Sequence, residues 1–339
     1  MRRSVVVITG AGGEIGHGLI DRLAERGDRR IVTIDIAPLE PAIAKKVDRE
    51  ITGSITDRSL LERMMAEFQV ELLFHLAALL STRSEFTPVA AHEVNVEGTL
   101  RLLEFAQHEA ESHGRPVVFI YPSSIAAYGL PDLDAKIRAG RVREDEYLHP
   151  TTMYGCNKLY CELIGTYYAR HYKQLAAEQA SGKVDFRCVR FPGLISAVTA
   201  PSGGTSDYAP EMIHAAAQGQ AYDCFVRPDT RIPFMAMPDG VDALLTLAAA
   251  DRSRLRRTAY NVAAFNPSAE EVRDLVVQSF PGARIAWDVD RKRQAIVDSW
   301  PGDVDDSAAR ADWGFAPQYD IRKAFSEYLI PTIRRRYSR

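Results

Sequence analysis

A glycine-rich turn near the N-terminus constrains the fold of this chain more than any other feature. The turn follows the apolar run Val5–Ile8 and opens an amphipathic stretch, Ile15–Arg26, that we predict to be a helix. A tight turn between a buried strand and a helix brings backbone N–H groups and the positive end of the helix dipole onto a pyrophosphate. The sequence therefore predicts a dinucleotide site at the turn Gly10-Ala11-Gly12-Gly13-Glu14-Ile15-Gly16, with contacts from Gly10, Gly13, Glu14, Ile15 and Gly16.

Short β-branched runs alternate with longer amphipathic stretches over the first 190 residues. This alternation is typical of a parallel sheet with helices on both faces. The predicted strands are Val5–Thr9, Ile31–Asp35, Leu72–Leu76, Val117–Tyr121 and Phe186–Arg190. The predicted helices are Ile15–Arg26, Ser59–Phe68, Val89–Glu111 and Tyr154–Ala180, with Asp57 as the N-terminal cap of the second.

Prolines and glycines become frequent after Arg190 and divide the rest of the chain into loops and short elements. The helical run Asp239–Ala250 and the strand-like run Ala259–Ala263 are expected to return to the first domain. We therefore predict an α/β fold in which residues 1–190 and about 232–264 form a Rossmann domain with a doubly wound parallel sheet. Residues from about 191 to 231 and from 265 to 339 are predicted to form a smaller C-terminal α/β substrate lobe.

Composition narrows the class of partner. The chain of 339 residues carries 42 Lys and Arg against 45 Asp and Glu, a formal net charge of −3, so its field is too weak to attract nucleic acid or an acidic membrane. The N-terminal apolar run is too short for a membrane span and lacks a signal-peptide pattern, so we expect a cytoplasmic protein. The four cysteines form no CxxC pair and are expected to be buried free thiols, and no metal site is expected. The expected partner is a small molecule.

An acidic residue at the end of the second predicted strand indicates which dinucleotide binds. Asp35 lies 19 residues beyond Gly16. At this distance a carboxylate accepts hydrogen bonds from the adenosine ribose and repels a 2′-phosphate. The sequence therefore predicts NAD rather than NADP as the cofactor.

A tyrosine and a lysine at helical spacing carry the predicted chemistry. Tyr154 and Lys158 lie four residues apart, so a helix places both side chains on one face. A tyrosine that acts as a base near neutral pH needs a nearby cation, which Lys158 can supply. Ser124, after the strand Val117–Tyr121, can hold the developing carbonyl oxygen. We predict that Tyr154 removes an alcohol proton while the hydride passes to nicotinamide, and that His75 is packed rather than catalytic. On its own, the Tyr–Lys spacing is more typical of an exposed turn of an amphipathic helix, and it is Ser124 upstream of the pair that favours the catalytic interpretation.

The GxxGxxG spacing, Ser124 and the Tyr154–Lys158 pair together resemble the extended short-chain dehydrogenases/reductases, the NAD-dependent epimerase/dehydratase family. This resemblance implies an adenine site, a small-residue segment along the cofactor, a structural asparagine and contacts near the nicotinamide. The positions it implies are Ile55, Asp57, Leu76, Ala77, Ala78, Asn95, Pro192 and Leu194, in addition to Tyr154 and Lys158.

Longer motifs in the second half, Phe191–Ser196, Gly203–Ala209, Asp229–Pro233 and Arg293–Pro301, resemble the short-chain-type L-threonine 3-dehydrogenases. The resemblance implies oxidation of L-threonine at its β-hydroxyl to 2-amino-3-ketobutyrate. It also implies a homodimer with a four-helix contact formed by the two long predicted helices of each subunit. The implied substrate contacts are Ser81, Ser123, Ser124, Tyr154, Thr205, Arg231 and Trp300, with core packing as the alternative for Trp300.

Two other functions stay open at this point. A nucleotide-sugar epimerase or dehydratase would use Arg231 to pair with a substrate diphosphate. A dehydrogenase of another hydroxy acid would share every catalytic residue. Two inserts, a charged one around Asp132–Glu146 and another around Leu175–Gly182, depart from the pattern of the resembled enzymes. Both are expected to extend surface loops, the first near the mouth of the active site.

Overall fold

The structure, a computed structural model, describes residues 2–176, 183–201 and 203–337. In these ranges the strands are β1 Arg3–Thr9, β2 Ile31–Asp35, β3 Arg49–Thr52, β4 Phe68–His75, β5 Val117–Ser124, β6 Arg141–Val142, β7 Val184–Phe191, β8 Gly193–Ile195, β9 Ala221–Cys224, β10 Phe234–Ala236, β11 Ala259–Asn261, β12 Arg284–Trp287 and β13 Asp303–Val304. The helices are α1 Glu14–Arg26, α2 Pro41–Ala44, α3 Arg58–Glu67, α4 Ser81–Phe86, α5 Pro88–His92, α6 Gly98–His113, α7 Leu133–Ala139, α8 Met153–Arg170, α9 Tyr208–Ala217, α10 Met237–Ala249, α11 Ala269–Ser279, α12 Arg291–Asp298, α13 Ser307–Trp313, α14 Ile321–Lys323 and α15 Ile330–Tyr337. Within the described ranges, no helix is long and apolar enough to cross a membrane.

A parallel sheet of seven strands, counted over the described residues, forms the centre of the molecule. Its strand order is β3-β2-β1-β4-β5-β7-β11. Every neighbouring pair is parallel. The order reverses between β1 and β4, which is the switch point of a doubly wound sheet and the place where such sheets bind dinucleotides. The predicted fold class is confirmed.

Both faces of the sheet are covered by helices, because the strands are apolar at consecutive positions. Successive side chains of a strand point to opposite faces. Val5 and Val7 of β1 accordingly pack with residues of α3, α6 and α8, whereas Val6 and Ile8 pack with residues of α1 and α10. Full burial of one such side chain stabilises the fold by about 1.5–3 kcal/mol, so the two layers hold the sheet rigidly under the site.

The second half of the chain contributes to both parts of the fold. Helix α10 packs against α1, and β11 extends the central sheet beside β7. Helix α13 also packs in the core with α1 and α10, whereas β9, β12, α9 and α11 contribute to a separate hydrophobic core that contains Tyr208 and Phe234. The division into a nucleotide domain and a substrate lobe stays a prediction in its boundaries.

The long predicted helices differ from the observed ones in an instructive way. Val89–Glu111 corresponds to one continuous helical run from α5 to α6, which contains a π-helical turn at Glu93–Glu97. Tyr154–Ala180 is too long, because α8 ends at Arg170 and Lys173 adopts a left-handed backbone with φ of 46°. The predicted end of this helix, and most of the second insert, lie outside the described residues.

The charged insert is not a surface loop, which corrects our expectation. It forms α7 and β6, and β6 pairs with β13 of the C-terminal region. Lys136 donates from Nζ to the carbonyl oxygen of Val297 at the end of α12, at 3.0 Å. Glu144 is buried and accepts the backbone N–H of Asn261 at 3.1 Å. The insert therefore joins the two parts of the molecule.

Candidate active site

The glycine turn is packed directly on the end of β4. Gly10 has a φ of +66°, and a Cβ there would lie 2.6 Å from the backbone nitrogen of Ala77. A Cβ on Gly16 would collide with the carbonyl oxygen of Ala11. Gly13 differs, because a Cβ there would meet only the carbonyl oxygen of Gly10, at 3.4 Å. The turn thus needs glycine twice for its own geometry and leaves open space at Gly13, as a pyrophosphate-binding turn requires.

A cavity of about 620 Å³ lies along the carboxyl ends of the central strands. Its volume is in the range of pockets that hold cofactors and small substrates. The structure brings most of the predicted site residues to its wall: Gly10, Gly13, Glu14, Ile15, Gly16, Asp35, Ile55, Leu76, Ala77, Ala78, Ser81, Ser123, Ser124, Tyr154, Lys158, Pro192, Leu194 and Trp300. Among the described residues it does not bring Asp57, Asn95, Thr205 or Arg231 to the wall.

The carboxylate of Asp35 lies beside the glycine turn. Its Oδ2 accepts the backbone N–H of Gly12 at 2.9 Å, and its Oδ1 accepts that of Ala37 at 3.2 Å. These bonds fix the carboxylate at the wall of the cavity, at the carboxyl end of β2. The residues around the turn therefore fit a dinucleotide, with N–H donors and a helix N-terminus for the pyrophosphate and a carboxylate for the ribose.

Tyr154 and Lys158 lie on the first turns of α8, and both line the cavity. Lys158 is 5% exposed; its Nζ donates to the carbonyl oxygen of Pro122 at 2.6 Å and lies 5.4 Å from the centre of the Tyr154 ring. Burial lowers the pKa of Lys158 to about 8 and raises the pKa of Tyr154 well above its ordinary value. Without a cation nearby, Tyr154 would therefore stay a neutral phenol.

Ser124 ends β5 and begins the turn Ile125–Ala127. Its Oγ accepts the backbone N–H of Ala126 at 3.1 Å. Since that bond uses a lone pair of the oxygen, the hydroxyl proton is available for a group in the cavity. Ser124 can therefore donate to the oxygen of an alcohol or a ketone.

The neighbouring Ser123 is engaged with the protein. Its hydroxyl donates to Oε1 of Glu162 at 2.5 Å. Ser123 lines the cavity, so it can accept a hydrogen bond from a ligand there, but it cannot donate one while this bond holds. Sequence reasoning missed Glu162, because its role depends on a contact across 39 residues of chain.

Asn95 and Asp57 support the cavity from outside its wall. Asn95 accepts the backbone N–H of Leu79 at 2.8 Å and donates to the carbonyl oxygen of the same residue at 3.0 Å. This pair of bonds holds the segment after β4 in place, in agreement with the structural role implied for Asn95. Asp57 caps α3 by accepting the N–H groups of Ser59 and Leu60, as predicted. A contact of Asp57 with adenine stays a prediction.

Of the three second-half residues predicted to contact the substrate, only Trp300 lines the cavity, whereas Arg231 and Thr205 do not. Arg231 binds Glu271 at 2.8 Å and donates to the carbonyl oxygen of Asn266 at 2.9 Å, so its guanidinium is engaged by the protein, and it does not line the cavity. Thr205 is buried and donates from Oγ1 to Ser81 Oγ at 3.3 Å, one contact behind the wall. Trp300 belongs to the hydrophobic core around Tyr208 and also lines the cavity. Its side chain therefore both packs in the core and forms part of the wall.

Several wall residues were not predicted from the sequence. They come from the loop between β8 and α9 and from the start of α10, and part of that loop lies in the motif Gly203–Ala209. Glu14 lines the cavity together with residues of this loop, and burial raises the pKa of its carboxyl group. The unpredicted wall residues include Thr199, Pro201, Gly204, Ser206, Asp207 and Met237.

The histidine and cysteines mostly agree with expectation. His75 lies between the hydroxyl groups of Thr9 and Thr99, each at 2.8 Å, and burial lowers its pKa to about 3. It is packed and neutral. Cysteines 161, 188 and 224 are buried, but Cys156 is exposed on α8, which corrects the expectation for that residue. In the described ranges, no cluster of potential ligands could hold a metal ion.

Comparison with known proteins gives matches over most of the chain. Residues 6–263 match the model of the NAD-dependent epimerase/dehydratase family. An uncharacterized epimerase/dehydratase of Staphylococcus saprophyticus is 36% identical over 97% of this chain and 96% of its own length. A monomeric L-threonine 3-dehydrogenase from a metagenome is 32% identical with a TM-score of 0.84, and covers 98% of this chain and 100% of its own. The L-threonine dehydrogenase of Clostridium difficile is 31% identical with a TM-score of 0.84, over 99% of each chain.

Proposed function

The chain belongs to the NAD-dependent epimerase/dehydratase family, and on this premise we propose that it oxidises L-threonine with NAD to 2-amino-3-ketobutyrate and NADH. The observation that carries the proposal is a single cavity with a dinucleotide turn at one end and Ser124, Tyr154 and Lys158 at the other. The full-length likeness to two L-threonine dehydrogenases supports the choice of substrate.

The cofactor end would bind NAD through the backbone. The glycine turn and the N-terminus of α1 would hold the pyrophosphate, Asp35 the adenosine ribose, and Ile55 the edge of the adenine. Leu76, Ala77 and Ala78 line the cavity, and the small side chains of the two alanines would let the dinucleotide lie close to this segment. NAD, when bound, supplies the hydride acceptor for the reaction.

The catalytic end would move one proton. Tyr154, as the phenolate, accepts the proton of the substrate hydroxyl group. The hydrogen bound to the carbon that carries this hydroxyl group leaves with two electrons as hydride. Lys158 is the cation beside the phenol and favours the phenolate, which opposes the effect of burial on the pKa of Tyr154. Ser124 donates its hydroxyl proton to the substrate oxygen as that oxygen becomes a carbonyl. Over the cycle, alcohol and NAD⁺ give ketone, NADH and a proton released to solvent.

The charges of the wall favour an amino acid over a nucleotide sugar. Among the described residues, the charged groups at the wall are Glu14, Asp35, Lys158 and Asp207. Lys158 already donates to a backbone carbonyl, and the wall is otherwise acidic. A substrate diphosphate would therefore find no second cation at the described wall, whereas threonine is a zwitterion of zero net charge and needs no excess of cations there. The arginine expected to hold a diphosphate, Arg231, binds Glu271 instead.

The test is NADH formation by the purified protein over a panel of secondary alcohols. The panel contains L-threonine, its stereoisomers, other hydroxy acids and UDP-sugars, each with NAD and with NADP. We expect turnover with L-threonine and NAD. Turnover of another compound, with none for L-threonine, would show that L-threonine is not the substrate. Tighter binding of NADP than of NAD would overturn the role of Asp35.

We also propose a homodimer through the exposed side of α8. This side of the helix exposes Cys156, Tyr160, Leu163 and Tyr167. Successive members of this set are four, three and four positions apart in the sequence. Leu163 is 60% exposed, and such a seam of apolar residues is typical of paired helices. A second copy of the chain fits this seam, because a self-complementary helix pair needs no other partner.

Light scattering after gel filtration tests the dimer. Wild-type protein should have the mass of two chains, and Leu163→Glu should reduce it to one. Ile137→Glu is the matched control, because Ile137 is equally apolar and 78% exposed but lies on α7. A wild-type monomer, as the metagenome enzyme is described, would contradict this proposal.

A further inference from the structure

One face of α8 carries polar side chains that contact the end of β5. Tyr154, Lys158 and Glu162 follow at intervals of four residues, so they lie above one another on the helix. Lys158 donates to the carbonyl oxygen of Pro122 at 2.6 Å, and Glu162 accepts the hydroxyl proton of Ser123 at 2.5 Å. The helix therefore binds two consecutive residues at the end of the strand.

Arg190 of β7 fixes the carboxylate of Glu162. Its Nε lies 3.0 Å from Oε1 and its Nη2 lies 2.6 Å from Oε2, and the two side chains are 4% and 5% exposed. Its Nη1 donates to the hydroxyl of Tyr128 at 2.8 Å and to the carbonyl oxygen of Glu144 at 2.7 Å. A planar guanidinium with contacts on three sides cannot turn, so the carboxylate plane is fixed as well.

We propose that Glu162 is a positioning residue for the oxidation: held by Arg190, it orients Ser123 and thereby fixes Ser124 at the wall of the cavity. Ser124 follows Ser123 directly, and its Oγ is tied to the N–H of Ala126 in the next turn. A displacement of Ser123 therefore moves the hydroxyl that donates to the substrate oxygen. The kinetic consequence rests on the proposed function, whereas the structural consequence does not.

A purely stabilising ion pair predicts different behaviour. Loss of such a pair would lower the thermal stability of the protein and leave kcat of the folded fraction unchanged. A positioning residue predicts a lower kcat at unchanged KM, because misplacement by even a fraction of an ångström weakens a bond made in the transition state. Ser123→Ala separates the two, since it removes the hydroxyl and leaves the three Glu162–Arg190 hydrogen bonds in place.

The structural consequence is tested by amide hydrogen exchange, which needs no substrate. Ser123→Ala and Glu162→Gln should each raise exchange in the segment 121–128. Thr166→Val is the matched control: its hydroxyl lies one turn further along the same face of α8, where it donates to the backbone carbonyl oxygen of Glu162 at 2.8 Å and lies 2.8 Å from the hydroxyl of Thr258. Its loss leaves the bonds of the Glu162 carboxylate to Ser123 and Arg190 in place and should leave this segment unchanged. Unchanged exchange in Ser123→Ala would overturn the inference.

The kinetic consequence is tested by a double-mutant cycle of Ser123→Ala and Glu162→Gln, with the alcohol that the wild-type enzyme oxidises. Each change should lower kcat about tenfold at similar KM, and the double variant should lose no more than the worse single one, because both act through one contact. Losses that multiply, or a raised KM at unchanged kcat in Ser123→Ala, would overturn the inference. If Glu162→Gln fails to fold, Ser123→Ala decides alone. A wild-type enzyme that oxidises no alcohol contradicts the proposed function, and the exchange experiment then still decides this inference.

Discussion

At the cofactor end of the cavity a large part of the wall comes from one short turn, residues 10–16, whose backbone is exposed to the cavity, with Asp35, Ile55 and the segment 76–78 beside it. At the substrate end the wall comes from side chains of distant segments, among them Ser81, Ser124, Thr199 and Ser206. The first end is determined by local backbone geometry. The second depends on partners elsewhere in the chain, as Ser123 depends on Glu162. The two ends should therefore respond separately to substitution.

The largest effect is expected from Tyr154→Phe, which removes the base and leaves the cofactor end intact. We expect kcat to fall about a thousandfold, because general base catalysis contributes roughly that much. The dissociation constant for NAD, from fluorescence titration, should stay within about twofold of the wild-type value, since the ring itself remains. Tyr160→Phe on the exposed side of α8 is the matched control and should keep full activity. Activity retained in Tyr154→Phe would remove this residue from the mechanism.

Gly13→Ala is expected to have the opposite effect, since it should weaken NAD binding and leave kcat nearly unchanged. The added methyl group has room in the protein but occupies the open space before the turn. Loss of a hydrogen bond to a charged phosphate weakens binding by about tenfold or more. The dissociation constant for NAD should rise by this factor, while kcat at saturating NAD changes little. Gly282→Ala, at a position with no atom within 4 Å of the new Cβ, should leave binding unchanged. Normal NAD affinity in Gly13→Ala would place the pyrophosphate elsewhere.

A pH effect is expected from Lys158→Met. Loss of the cation disfavours the phenolate of Tyr154, so the acid limb of the kcat/KM profile should move to higher pH by about one unit. Because the pKa of Lys158 is lowered to about 8, its charge is present below that pH and lost above it. The variant should therefore differ most from wild type on the acid side and converge on the alkaline side. An unshifted acid limb would show that Lys158 does not act on Tyr154.

The smallest effect is expected from Arg231→Gln. This arginine and Glu271 are 45% and 54% exposed, and pairs of this kind contribute at most about 1 kcal/mol to stability. We expect KM for L-threonine to stay within about twofold of the wild-type value, because no substrate contact is lost. A KM raised tenfold in steady-state kinetics would restore Arg231 as the group that holds the carboxylate.

The sequence was most informative where structure is local. The strands, the glycine turn, the cap at Asp57 and the Tyr154–Lys158 pair all follow from short patterns, and the structure places them as expected. It was least informative where a side chain has two possible partners. Arg231 and Ser123 could each face a ligand or a carboxylate of the protein, and only the tertiary fold brings Glu271 and Glu162 to them.

The charged insert shows the same limit. Its charges suggested a solvated loop around Asp132–Glu146, yet Lys136 and Glu144 are buried. They find their partners more than a hundred residues away, at Val297 and Asn261. No pattern within the insert indicates these contacts.

The most direct test of the account follows the hydrogen itself. L-threonine deuterated at the carbon that carries the hydroxyl group is incubated with the wild-type protein and NAD, and the reduced cofactor is analysed by mass spectrometry. We predict NADH that carries one deuterium for each 2-amino-3-ketobutyrate formed, detected as aminoacetone after loss of CO₂, and transfer about a thousandfold slower in Tyr154→Phe. Absence of deuterium from the reduced cofactor, or interconversion of a UDP-sugar with no reaction of threonine, would contradict the account.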